Sequence, residues 1–193
     1  MKKAAILLAL ACLFPLVLYW LGQDFYLRFA TRILIYAMAA ASLNLVLGYG
    51  GMVSFGHAAF FGAGAYVTGI LAVEGVREAW IAWPAAVLVA ALAALAVGAI
   101  SLRTRGVYFI MITLAFAQMM YYVFVSLKAY GGEDGMTLPS RSTGLGVSLS
   151  NDFTWYYIVL VLLGSIFFLL HRLLASRFGR VIVAIRELSL IHI

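Results

Sequence analysis

The sequence predicts an all-α, polytopic transmembrane helix bundle of about six spans. Three observations lead there. Apolar residues make up 66% of the 193-residue chain, charged residues only 10%, and the mean hydropathy is +1.08. A soluble domain carries about 25% charged residues, far more than this chain has to cover a wet surface. The apolar residues also fall in runs near the roughly 20 needed to cross the hydrocarbon core, and the charges lie between those runs.

Six segments qualify as spans: 4–21, 33–47, 52–73, 79–101, 107–127 and 155–171. In the first, Lys2 and Lys3 precede the apolar run as they would in a cleaved signal peptide, and Leu10-Ala11-Cys12 hints at a lipoprotein site. The run continues past Cys12 to Leu21, longer than a signal core, so it is read as a retained helix kinked at Pro15.

The second span is short and runs into the stretch 43–66, LNLVLGYGGMVSFGHAAFFGAGAY. This stretch is apolar, yet it holds Gly48, Gly50, Gly51, Gly56, Gly62 and Gly64 together with Asn44, Ser54 and His57. Gly costs roughly 1 kcal/mol relative to Ala inside a helix, so a plain lipid-facing anchor gains nothing from six of them. Broken backbone is tolerated in a membrane only where protein buries it or where it lines a watery cavity. A broken or closely packed glycine-rich unit near 43–66 is therefore expected, with the second and third spans as one broken helix or two.

Ala86, Ala90, Ala94 and Gly98 recur every fourth residue in the fourth span, a small-residue ridge suited to close helix approach. The fifth carries the amide Gln118, which either meets a polar solute or ties helices together. Glycines and Pro139 mark 128–152 as a loop, either an ordered cap or a flexible connection. After the last span, 171–187 is basic and amphipathic, fit for anionic lipid or for a cytoplasmic partner.

Charge orients the bundle with its N-terminus in the cytoplasm. That places Lys2, Lys3, Arg103, Arg105, Arg172, Arg177, Arg180 and Arg186 inside, eight cations against the single acid Glu187. Outside fall Arg28, Arg32, Arg77, Lys128 and Arg141 against Asp24, Glu74, Glu78, Glu133, Asp134 and Asp152. The net charge of +6 thus serves orientation, and its scatter argues against nucleic-acid binding.

Several chemistries lack their residues. Cys12 is the lone cysteine, so no internal disulfide or cysteine metal cluster forms. His57, His171 and His192 lie far apart, and no GxSxG or GxxxxGK[ST] motif occurs. No catalytic residue, metal site or bound cofactor is assigned. His57 is read as a neutral imidazole bonding between helices, with a transport role as the alternative. The spans carry no internal Asp or Glu, which disfavours coupling to a proton or sodium gradient and favours a separate ATPase.

Four pieces in order resemble branched-chain amino acid ABC transporter permeases of the LivM type. They are 43–66 above, RTRGVYFIMITLAFAQMM at 103–120, GGEDG at 131–135 and SRFGRVIVAIRE at 176–187. The resemblance implies a multi-pass inner-membrane subunit pairing with a second homologous permease. It also implies two cytoplasmic ATPases that use ATP and a periplasmic amino-acid-binding protein. Asn44, Gly50, Gly51, Ser54, Phe55, Gly56 and His57 become candidates for the substrate path or core, beside Gln118. Arg177, Phe178, Gly179, Arg180, Arg186 and Glu187 become candidates for partner docking.

The permease domain is expected over 1–187. Residues 188–193, LSLIHI, depart from the family's continuation into a coupling loop and further helices, and read as a truncated or misread tail. The competing function is a gradient-driven carrier or channel-like facilitator for a small polar solute such as urea or a short amide. A non-transporting assembly subunit is the third.

Overall fold

A computed structural model describes residues 11, 13–16, 24–104, 106–138 and 151–191. Most of the first expected span, with Cys12, lies outside the described residues, as do Arg105, residues 139–150 of the outer loop with Arg141, and residues 192–193. The regular elements among the described residues are helical, as the long apolar runs lead one to expect. Among the described residues, four helices are long and apolar enough to cross a bilayer: 25–49, 79–101, 107–126 and 152–175. The helix His57–Val73 is apolar but shorter.

The described residues form two compact units, one from those within 1–51 and 151–193 and the other from those within 52–150. The chain passes from the first to the second between Gly51 and Met52, inside the glycine-rich stretch.

In the first unit, α1 (Asp24–Asn44) continues into a π-helical turn, Leu45–Tyr49. The helix starts well before residue 33, where the apolar run begins, so the second span is longer than hydropathy suggested. Arg28 and Arg32 accordingly sit on a helix and not in a connecting loop. The apolar run of 33–47 alone is too short for the roughly 30 Å hydrocarbon core, and the extra turns with Phe25, Leu27 and Phe29 make up the length. Long arginine side chains tolerate such positions by reaching to the interface.

α1 packs along α5 (Asp152–Ala175), burying Leu27 and Thr31 on the one and Tyr156 and Val159 on the other. Asn151 caps α5 by accepting the Phe153 N–H at 3.0 Å. Arg28 Nε donates to Asp152 Oδ2 at 2.8 Å, joining the early turns of both helices, so they run parallel. The buried Tyr156 satisfies its hydroxyl on the Ala11 carbonyl at 2.9 Å.

α5 then turns through Ser176 into α6 (Arg177–Ile191), which runs through the expected boundary at residue 187. Ser176 is extended, with ψ of 171°. Its hydroxyl donates to the Leu173 carbonyl at 2.5 Å and accepts the Gly179 N–H at 3.4 Å. Gly179 is buried against the end of α5, where a Cβ would stand 2.5 Å from the Leu174 carbonyl oxygen. No larger residue fits that elbow without displacing backbone.

In the second unit, α2 (His57–Val73), α3 (Ala79–Ser101) and α4 (Val107–Ser126) pack together. The expected ridge of α3 is half-buried throughout, and a Cβ on Gly64 of α2 would stand 4.0 Å from the Ala86 carbonyl. Close approach of the two backbones is thus real at Ala86. Tyr66 and Phe124 stack at 4.5 Å between ring centres, pinning α2 to α4. Beyond α4 the chain makes two short 3-10 turns, Lys128–Tyr130 and Gly132–Asp134. Tyr130 donates to Glu74 at 2.7 Å, tying the start of the loop to the end of α2.

Candidate functional site

The glycine-rich stretch is broken backbone, and each unit holds one side of the break. In the first unit the α-helical ladder widens at Leu45–Tyr49, closing with Gly50 N–H donating to the Leu45 carbonyl at 3.1 Å. Single π turns of this kind are rare and are often found at functional sites. Gly51 then enters the left-handed region at φ +66°, a conformation that glycine adopts at no steric cost and that ends a helix. The space beside Gly51 is filled by the stem of Arg186 from α6, whose Cγ would lie 3.1 Å from an added Cβ.

The Arg186 guanidinium donates through Nη1 to the Gly48 carbonyl. A helix end leaves carbonyls without intrahelical partners and carries partial negative charge, so a cation there satisfies both needs. The Asn44 amide lies directly against Gly48, where any Cβ would strike it. Asn44 itself is exposed.

In the second unit, residues 52–56 approach α2 without helical hydrogen bonds. α2 has 17 residues, about 26 Å of rise, so part of the membrane's thickness falls to this irregular backbone. Its N–H groups must find partners in the protein. Phe55 N–H donates to Thr113 Oγ1 at 3.3 Å, and Gly56 N–H donates to Ser54 Oγ at 3.2 Å. The Thr113 hydroxyl in turn donates to the Ile110 carbonyl at 2.9 Å, so its proton and one lone pair are both used. Gly56 is buried against Thr113, and Thr113 is only 3% exposed. His57 follows, half-buried, as the first residue of α2, while Phe55 is 56% exposed.

The expected residues therefore fall into separate groups. Asn44, Gly50 and Gly51 belong to the first side of the break, and Ser54, Phe55, Gly56 and His57 to the second. Gln118 is exposed on α4, five residues beyond Thr113 and so about 140° around the helix from it. On α6, Arg177, Phe178 and Arg180 are exposed, as a docking surface needs. Gly179 instead builds the elbow, Arg186 is engaged on Gly48, and Glu187 lies farther along the helix. Thr113 was missed by the sequence reading. Its signal was a lone threonine in the otherwise apolar run 107–117.

Similarity to known proteins fits this arrangement. Residues 25–188 match the family described as branched-chain amino acid transport system / permease component. The chain is 28% identical over 182 residues to the high-affinity branched-chain amino acid transport system permease protein LivM of Salmonella typhimurium. It is equally similar to the LivM protein of Escherichia coli, the match covering 82% of this chain and 43% of that protein. The chain thus spans less than half the length of these curated relatives. No solved structure matches it. A multi-pass helical membrane protein whose family match covers both sides of the break and the helix that follows α5, the chain belongs to the branched-chain amino acid transport permease family.

Proposed function

We propose that the chain is a membrane-spanning permease subunit of an ATP-binding-cassette importer in the bacterial inner membrane. Its substrates are branched-chain or related hydrophobic amino acids. It works with a second homologous permease, two cytoplasmic ATPases and a periplasmic amino-acid-binding protein. The observation that carries this reading is the family match over residues 25–188, which takes in the glycine-rich break, α4 and most of α6. The absence of Asp and Glu from the interiors of the apolar runs supports an outside energy source.

The permease does no covalent chemistry in this reading. ATP binding and hydrolysis in the partners shift the population between inward- and outward-facing states, and the helices transmit the shift. Irregular backbone at the glycine break suits such motion, because it is held by a few hydrogen bonds and not by a continuous helical ladder.

Membrane vesicles carrying the assembled system test the energy source. Uptake of labelled leucine is expected to require ATP and to persist when an ionophore collapses the proton gradient with ATP maintained. Uptake driven by a pH or sodium gradient in vesicles without ATP would replace this reading with the gradient-driven carrier.

A further inference from the structure

We propose that Arg186 is a positioning residue that latches α6 to the broken end of α1, so that a displacement of α6 is passed directly to the glycine break. Three contacts within one compact unit carry the proposal. The guanidinium holds the Gly48 carbonyl, one of the acceptors left open where α1 ends. The stem of the same side chain occupies the space that glycine leaves at position 51, where φ is +66°. Near the start of α6, Gly179 seats against the last carbonyls of α5 with no room for a Cβ. α6 is thus held near its start and again at Arg186, and the second hold lies on the π-helical turn that follows α1.

Arg186 is exposed like its neighbours, but one of its five N–H donors is spent on the chain's own backbone. The exposed Arg177, Phe178 and Arg180 remain on α6 for a cytoplasmic partner. A push received there reaches Gly48 and Gly51 through Arg186. This rests on the importer reading for its transport consequence, but the latch itself is a structural claim with its own readout.

The test compares Arg186→Met, which keeps an unbranched stem without donors, with Arg186→Lys, which keeps a cation on that stem. Two measurements are made on the assembled complex. In proteoliposomes, leucine taken up per ATP hydrolysed is expected to fall about tenfold in Arg186→Met, in the usual range of coupling between sites, while ATP hydrolysis persists. Arg186→Lys is expected to recover part of the loss, since lysine supplies the charge but not the planar fork. Amide hydrogen exchange across 45–51 is expected to quicken in Arg186→Met, with the amides of 27–40 unchanged, because losing the cap frays only the end of the helix.

Unchanged exchange across 45–51 overturns the latch. So does an Arg186→Met complex that transports with normal coupling, or one in which assembly and ATP hydrolysis fail together as loss of a docking contact requires. Should the unaltered complex show no ATP-dependent uptake, the importer reading fails, and the exchange measurement still decides the latch.

Discussion

The Thr113 hydroxyl receives the Phe55 backbone N–H at 3.3 Å, joining the irregular segment before α2 to the second turn of α4. Removing the acceptor leaves a backbone N–H without its partner, which costs about 1–3 kcal/mol when the group is buried. Thr113→Val, nearly the same shape, is expected to lower the thermal stability of the purified complex and its uptake. Thr113→Ser, which keeps the oxygen, is expected to recover most of both. Equal melting temperatures for the valine and serine variants would remove this bond from the account.

Gly51 is predicted to be intolerant of side chains. A non-glycine residue in the left-handed region costs roughly 1–2 kcal/mol, and the Arg186 stem already fills the space a Cβ would take. Gly51→Leu is expected to impair folding or uptake, read as membrane-inserted protein and initial transport rate. Normal levels and normal uptake would contradict a requirement for glycine at the break.

Gly179→Ala tests the elbow between α5 and α6. With an added Cβ only 2.5 Å from a backbone oxygen, the helix ends must separate. Overpacking of this kind typically costs 1–3 kcal/mol, and a melting temperature equal to that of the unaltered protein would show that the elbow opens freely.

His57 opens α2 half-buried beside the irregular segment. If it serves as a neutral hydrogen-bonding ring, an amide replaces it, and His57→Gln is expected to keep substantial uptake. Selective loss of transport with assembly intact would give the ring a direct role in solute passage.

Much of this was legible in the sequence because the bilayer imposes long apolar helices and expels charge. Spans 79–101 and 107–127 were readable almost to the residue for that reason. α1 was misjudged at its start because Asp24, Arg28 and Arg32 break the hydropathy signal without breaking the helix. The glycine cluster announced a broken backbone, but the partners that hold it, Thr113 and Arg186, are distant in sequence and were found only in the folded chain. Arg186 was noticed as a basic residue on an amphipathic helix. A periodic pattern shows which residues share a face, and not whether that face meets lipid, a partner or the same chain.

The importer reading is tested most directly by leucine uptake in cells stripped of their own branched-chain amino acid transporters. The chain and its proposed partners are supplied together, and then with the chain left out. The account predicts that uptake of labelled leucine appears only when the chain is present, and that unlabelled isoleucine and valine compete while urea does not. Leucine uptake that is the same with and without the chain, or competition by urea and not by isoleucine, would contradict it.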